Sequence, residues 1–234
     1  MGALQLPPSD QEEVAASLKQ RTYTGSLDAI VDEERVRAGW QNHGYFKVQV
    51  SGDARILTSS PVNQRIALSF RVDEGLQYRL GKIRFKNNKA IGDGGTLRAL
   101  FPIADGDVFS REKIAKGLEN LGKAYGELGY INFTSIPETK FDDDKRLIYL
   151  VIDIDEGKQF RLSSISFRGL DESARQEILR EPVLKPGQIY SQEVLELFLQ
   201  KRGSLLDSCS SGQGLNERAG TVAIRFDCGP CPVD

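Results

Sequence analysis

The sequence is poor in the residues on which most enzymes and metal sites depend. Its 234 residues contain one histidine, His43, together with three cysteines, one methionine and one tryptophan. A single imidazole excludes metal sites built from several histidines and leaves little basis for histidine-dependent catalysis. We therefore predict no catalytic residues, no cofactor and no metal site.

The chain also lacks an excess of charge of one sign and a long hydrophobic run. Lys and Arg total 31 against 33 for Asp and Glu, which gives a net charge of −2. A general nucleic-acid-binding protein is expected to be basic. The longest strongly apolar run, Leu147–Ile152, is far shorter than the roughly 20 residues of a membrane helix. We predict a globular chain with no nucleic-acid partner and no direct membrane span.

The three cysteines, Cys209, Cys228 and Cys231, all lie in the last quarter of the sequence. The tetrapeptide from Cys228 to Cys231 looks like a thioredoxin active site, in which the first cysteine needs a helix N-terminus to lower its pKa. Pro232 follows at once, so we expect no helix there. A structural disulfide or idle thiols is the favoured interpretation, and a thiol redox protein is a remote alternative.

The strongest signal is internal repetition. The segment Val72–Phe85 (VDEGLQYRLGKIRF) recurs 82 residues later as Ile154–Phe167 (IDEGKQFRLSSISF). The other recurring pieces are the turn Gly106–Ser110, matched by Gly187–Ser191, and the helix end Trp40–Tyr45, matched by Tyr125–Tyr130. These spacings predict three repeats, over residues 1–75, 76–157 and 158–234.

Each repeat carries the pattern strand, helix, helix, strand, strand. In the middle repeat, an amphipathic helix is predicted by apolar residues at spacings of 4, 3, 4 and 3, namely Ile114, Leu118, Leu121, Tyr125 and Leu128. Ser110 can cap this helix and Gly129 can end it in the left-handed conformation.

The remaining elements are predicted by alternation and turn residues. In the middle repeat two strands, over residues 131–141 and 146–155, are joined by a hairpin at 142–145. In the third repeat we predict a helix over 172–180, a shortened second helix and a last strand over 221–227. The opening strand of the first repeat, over residues 3–6, is uncertain.

These motifs resemble the POTRA family, the polypeptide-transport-associated domains. The matching residues of the opening strands are Glu74, Gly75, Tyr78, Ile83 and Phe85, and again Glu156, Gly157, Phe160, Ile165 and Phe167. The resemblance implies an α+β fold, a tandem array of three units in which a three-stranded mixed sheet is covered on one face by two helices. It points to the units that precede outer-membrane barrels of the Omp85 and TamA type.

The resemblance implies a non-enzymatic module in the periplasm, at the inner face of the outer membrane of a Gram-negative-type bacterium. The implied partners are unfolded outer-membrane proteins or partner assembly subunits, together with a C-terminal barrel in the parent protein. The three repeats use all 234 residues. The chain is therefore either a fragment of a barrel protein or a free-standing array.

POTRA units are thought to bind chains by β-augmentation, in which an extended peptide adds to an exposed sheet edge. The candidate edge comprises Ile131, Asn132, Phe133, Thr134, Ser135 and Ile136, followed by Pro137, which an edge strand tolerates. The apolar residues of this segment can equally serve only to cover the domain's own core.

The second group of candidates comprises the Glu-Gly pairs Glu74, Gly75, Glu156 and Gly157, which are predicted to form turns at the junctions between repeats. An alternative function is a structural docking module for one dedicated partner subunit.

Overall fold

A computed structural model describes residues 4–19, 26–57, 66–180, 184–206 and 209–229. Within these ranges the chain forms six helices and eight strands. In chain order they are α1 Pro8–Ala16, α2 Ser26–Asn42, β1 Gln49–Ile56, β2 Ile66–Asp73, β3 Arg79–Lys86, α3 Gly94–Ala99, α4 Arg111–Glu127, β4 Thr134–Asp142, β5 Leu147–Asp155, β6 Arg161–Arg168, α5 Glu172–Arg180, α6 Gln192–Leu206, β7 Ser210–Asn216 and β8 Thr221–Asp227. In the part of the chain so described, no helix has both the length and the apolar character needed to cross a bilayer.

The strands form three sheets, one in each repeat. The first repeat holds the antiparallel pair β1-β2, the middle repeat the order β3-β5-β4, and the third the order β6-β8-β7. In the third sheet, β6 pairs parallel with β8, and β7 pairs antiparallel with β8. The last strand of a three-stranded sheet is thus central and the second strand lies at an edge. The α+β class and its mixed sheets are confirmed.

The chain forms two compact units. The first contains Met1–Arg84, Gly95–Leu118 and Pro137–Ile152, and the second contains Phe85–Gly94, Glu119–Ile136 and Asp153–Asp234. Each unit includes the end of one repeat and the start of the next. The division into three domains at residues 75 and 157 therefore stays a proposal.

Several helices have the caps and the buried faces that the sequence predicts. The Ser110 hydroxyl accepts a hydrogen bond from the Lys113 backbone at 3.3 Å, and the Ser191 hydroxyl accepts one from the Val194 backbone at 3.2 Å. On α4, the stripe residues Ile114, Leu121 and Tyr125 are buried and Leu118 is half-buried. Leu128 is exposed because the helix ends one residue earlier.

Two elements differ from the expectation. Residues 4–6 of the first repeat are not a strand, and Ala3 lies outside the described residues. The strand β7 has the place that the repeat pattern predicts, but the sequence predicts no bounds for it, because SSGQGLN has no apolar alternation and all seven residues are exposed. The second helix of the third repeat, α6, has 15 residues and is two shorter than α4.

A disulfide joins Cys209 and Cys228 at the end of the third sheet, next to the paired residues Ser210 and Asp227. Cys228 follows a strand rather than starting a helix, and its sulfur is already bonded. The thioredoxin-like pairing with Cys231 is therefore not formed, and Cys231 lies outside the described residues.

The last strand of the first sheet, β2, is less buried than the last strand of the middle sheet, β5. Leu150 of β5 is 2% exposed, whereas the corresponding Leu68 of β2, 82 positions earlier, is only half-buried. The reason is that β5 has a neighbour on both sides and β2 pairs only with β1 among the described residues.

The difference in burial predicts that replacing leucine by alanine lowers the free energy of unfolding by different amounts at the two positions. We expect Leu150→Ala to lower the free energy of unfolding by about 3 kcal/mol, because it removes a fully buried side chain and leaves a cavity. The matched substitution Leu68→Ala is expected to lower the free energy of unfolding by about 1 kcal/mol, because Leu68 is only half-buried. Urea unfolding followed by circular dichroism measures both, and equal losses would contradict the inferred difference in burial.

Candidate functional site

The strand β4 lies at the edge of the middle sheet, because the sheet order places β5 at the centre. Ile136 is 67% exposed on this strand. Pro137 follows it and has no backbone N–H to donate, which an edge position tolerates. The outer side of β4 therefore offers backbone groups and one exposed apolar side chain.

Only half of the predicted edge segment belongs to this strand. Residues 134–136 lie in β4, whereas Ile131, Asn132 and Phe133 precede it. Ile131 packs against the core of the third repeat, and the ring of Phe133 stacks on Tyr125 with centroids 4.5 Å apart. The alternation of Ile131 and Phe133 is typical of a strand, but both side chains pack at the turn that follows α4.

A surface recess of about 450 Å³ lies beside the start of β4. It is lined by Asn87, Lys89, Thr134, Ile136 and residues 153–157. Its carboxylates come from Asp153, Asp155 and Glu156, so the recess is mainly acidic around the exposed Ile136 side chain.

The second part of the site is a junction that occurs twice, once between each pair of repeats. The helix of one repeat ends at a glycine with a positive φ, +89° at Gly44 and +86° at Gly129. The Gly44 carbonyl accepts a hydrogen bond of 2.8 Å from the Tyr78 backbone, and the Gly129 carbonyl accepts one of 2.8 Å from the Phe160 backbone. The predicted left-handed conformation of Gly129 is thereby confirmed.

Both glycines are also required by the close approach of the next strand. A Cβ atom at Gly44 would lie 2.7 Å from the Tyr78 carbonyl oxygen, and one at Gly129 would lie 2.9 Å from the Phe160 carbonyl oxygen. Any larger residue would therefore meet both a backbone clash and an unfavourable φ.

Side chains repeat the same contacts at both junctions. Gln77 donates its amide to the His43 carbonyl, and Gln159 donates to the Leu128 carbonyl, both at 2.9 Å. The Arg79 and Arg161 guanidinium groups donate to the carbonyls of Gly106 and Gly187, also at 2.9 Å.

The turn that follows completes the junction. The backbone N–H of Phe109 donates to the Tyr78 carbonyl, and that of Tyr190 donates to the Phe160 carbonyl, each at 3.0 Å. The three recurring sequence motifs, the helix end, the opening strand and the turn, therefore meet at one place. The sequence shows the motifs but not that they contact one another.

Glu74 and Gly75 end the first repeat, and Glu74 anchors that repeat internally. Its buried carboxylate accepts hydrogen bonds from the backbone of Gln5 at 2.5 Å and of Leu6 at 3.0 Å, and from the Trp40 indole at 2.9 Å. Gly75 then turns the chain with a φ of +65°. The burial of Tyr45, with a smaller effect of the Glu74 charge, raises the pKa of the tyrosine.

Glu156 and Gly157 are the corresponding pair at the end of the middle repeat. Glu156 accepts a hydrogen bond of 2.7 Å from the Ala90 backbone, and Gly157 has a φ of +66°. Burial and the nearby Glu156 charge raise the pKa of Tyr125 to about 12. Both predicted Glu-Gly pairs therefore contain a glycine with a positive φ, but neither pair forms a regular turn. Each glutamate carboxylate hydrogen-bonds within the repeat that it closes.

The first junction carries an additional ionic contact that the sequence did not indicate. The Lys47 ammonium donates to both carboxylate oxygens of Asp143, at 2.8 and 3.0 Å, and the Tyr78 hydroxyl donates to the same carboxylate at 2.6 Å. Lys47 also lies 4.6 Å from the centre of the Phe141 ring. The hydrogen bonds from Lys47, and then that from Tyr78, lower the pKa of Asp143.

Among the residues that the structure describes, the second junction has no such contact at the equivalent place. Phe160 lacks the hydroxyl of Tyr78, and Asn132 stands where the first junction has Lys47. A recess of about 400 Å³ opens there, and Asn132, Phe160, Glu217 and Arg218 are among the residues that line it. The two junctions share their backbone hydrogen bonds but differ in the side-chain contacts that stabilise them.

Comparisons with known proteins identify this architecture. The family model for POTRA, described as a surface antigen variable number repeat, matches residues 78–157. The putative outer membrane protein assembly factor of Treponema pallidum (strain Nichols) is 26% identical over 163 residues, covering 69% of this chain and 19% of that protein. The outer membrane protein assembly factor BamA of Neisseria meningitidis serogroup B is 23% identical over 146 residues, covering 58% of this chain and 18% of that protein.

The chain thus spans about one fifth of the length of these curated relatives. Among solved structures, the crystal structure of POTRA domains 3–5 of BamA from Haemophilus influenzae matches with a TM-score of 0.65 and 21% identity, covering 98% of this chain and 93% of that one. This likeness shows the fold, and the resemblance seen in the sequence repeats is confirmed.

The junction geometry predicts opposite effects for two neighbouring glycines. We expect Gly129→Ala to destabilise the protein by about 2 kcal/mol, because alanine disfavours a positive φ and its Cβ meets the Phe160 carbonyl. The control Gly126→Ala lies within α4 with open space around its Cβ, and it is expected to stabilise by about 0.5–1 kcal/mol. Thermal unfolding of both variants tests this, and a neutral Gly129→Ala would contradict the junction model.

The Asp143 contact predicts a stability difference that depends on pH. A carboxylate whose pKa is lowered in the folded state stabilises above its unfolded pKa, and this stabilisation is lost as the pH falls through the folded value. We therefore expect the melting temperature of Asp143→Asn to lie below that of the wild type at pH 7. The two should converge below about pH 4, the ordinary range of aspartate.

The matched control for this effect is Asp144→Asn, which changes an exposed residue in the same turn. It should follow the wild-type melting curve more closely than Asp143→Asn across this pH range. A pH-independent effect of Asp143→Asn would show that the Lys47 contact does not stabilise the junction.

Proposed function

We propose that this chain, whose residues 78–157 match the POTRA family model, is a non-enzymatic module that assists the assembly of outer-membrane proteins. The relatives named as assembly factors support this role. We place the module in the periplasm, at the inner face of the outer membrane, with a barrel in the parent protein, as the resemblance to POTRA units implies.

The module acts by binding extended polypeptide segments at the outer edge of β4. The observation that carries this proposal is the position of β4 at the edge of its sheet, with Ile136 exposed there. An added strand gains backbone hydrogen bonds that do not depend on its sequence. A helper that receives many different unfolded chains needs such sequence-tolerant affinity.

The side chains around β4 favour an added strand over a compact ligand. Ile136 offers an apolar contact, and the neighbouring recess accepts alternate side chains of a strand laid along the edge. Exposed apolar edges promote aggregation in ordinary proteins, so an edge left open in this way is consistent with use as a binding surface.

A titration of the full chain, followed by backbone NMR, tests the proposal. The probe is an unfolded peptide that copies one strand of an outer-membrane barrel. We expect amide shifts to concentrate in residues 134–142. Ile136→Lys should weaken binding by about tenfold, because a lysine on an edge strand discourages strand addition.

The matched control is Val31→Lys, which places the same charge at an apolar residue of α2 that is 43% exposed. It should leave the peptide affinity unchanged. An absence of shifts at millimolar peptide would contradict strand addition. Tight binding of one partner subunit by a chain that ignores such peptides would instead favour a dedicated docking module.

A further inference from the structure

A groove of about 630 Å³ opens beside the third repeat, between α4, the start of α6 and the strand β7. Its apolar floor includes Ile131, Tyr190 and Leu215. Tyr190 is buried, but Leu215 is 51% exposed. The fold therefore leaves a large apolar side chain of the groove lining half exposed.

Two glycines of α4 form one wall of this groove, and the packing of the helix does not require them. A Cβ atom at Gly122 or Gly126 would meet nothing within 4 Å, whereas one at Gly117 would lie 2.0 Å from the Phe101 ring. Glycine in a helix interior is less stable than alanine. Gly122 and Gly126 therefore lower the stability of α4, and the absence of their side chains widens the groove.

The rim of the groove is acidic. Glu119 and Glu127 of α4, and Glu193 and Glu196 of α6, set four carboxylates against the single ammonium of Lys123. That ammonium lies 2.6 Å from the Glu119 carboxylate. The excess charge of the rim is negative, which favours a cationic occupant.

We propose that this groove is a docking site for a basic polypeptide segment of a partner protein. One large apolar side chain of the segment covers Leu215 and Tyr190, and lysines or arginines on either side of it face the carboxylates. This site is separate from the β4 edge and does not rest on strand addition.

The spacing of the carboxylates favours a peptide over a single cation. Lys123 already pairs with Glu119, which leaves Glu127 on α4 and Glu193 and Glu196 on α6 to face basic side chains. Among the described residues, no group of three acidic, histidine or cysteine side chains could hold a metal ion, so carboxylates carried on two helices suit several basic side chains of a bound segment. The apolar floor between them adds the hydrophobic contact that an ion cannot use.

Fluorescence anisotropy of the full chain with a labelled peptide tests the site. The probe is a ten-residue peptide with a central leucine and two lysines on each side. We expect saturable binding that Gly126→Leu weakens by about tenfold, because its side chain fills the groove. The double substitution of Glu193→Gln and Glu196→Gln should weaken binding and reduce its dependence on salt.

Two matched controls keep the test specific. Gly212→Leu also enters open space, but it lies on the face of β7 opposite Gln213 and Leu215 and should not affect binding. Ile136→Lys should leave unchanged the part of the binding that Gly126→Leu removes, which separates this site from the β4 edge.

Three outcomes would overturn the proposal. The first is the absence of binding at millimolar peptide. The second is equal binding of a peptide with glutamates in place of the lysines, or equal effects of Gly126→Leu and Gly212→Leu. The third is self-association of the chain that Gly126→Leu abolishes, which would assign the groove to a second copy.

Discussion

The structure depends on one backbone hydrogen bond that is made twice. A glycine that ends the helix of one repeat turns its carbonyl toward the first strand of the next, and that strand donates to it, at Gly44 and again at Gly129. The residue that donates this bond also accepts one from the turn that follows its strand. The helix end, the start of the strand and the turn are therefore held together at one residue. The two partners of this bond belong to different repeats, so a single repeat cannot form a junction by itself.

The sequence predicts what is local and repeated. It predicts the fold class, the helix α5 and strand β8 with their observed bounds, and the left-handed Gly129, because periodicity, caps and glycines act over a few residues. It cannot predict the Lys47–Asp143 contact, which joins side chains 96 residues apart, or the bounds of the strand β7, which has no apolar alternation. The alternation of Ile131 and Phe133 predicts a strand that starts at residue 131, whereas β4 starts at Thr134.

The two surfaces inferred for binding differ in physical character. The edge of β4 offers mainly backbone groups, which interact with many sequences alike. The groove beside β7 combines carboxylates with an apolar floor, and such a combination selects for sequence. An assembly module needs both kinds of recognition if it receives varied clients while holding one fixed neighbour.

The anchoring of Trp40 has a consequence for spectroscopy. The indole donates to the buried Glu74 carboxylate in the first repeat, and it is the only tryptophan of the chain. Tryptophan fluorescence therefore reports on the first repeat alone. The disulfide of the third repeat provides a complementary chemical probe, since the Cys209–Cys228 bond lies near the opposite end of the sequence. The molecule thus carries two built-in reporters with which the loss of structure at either end can be followed separately.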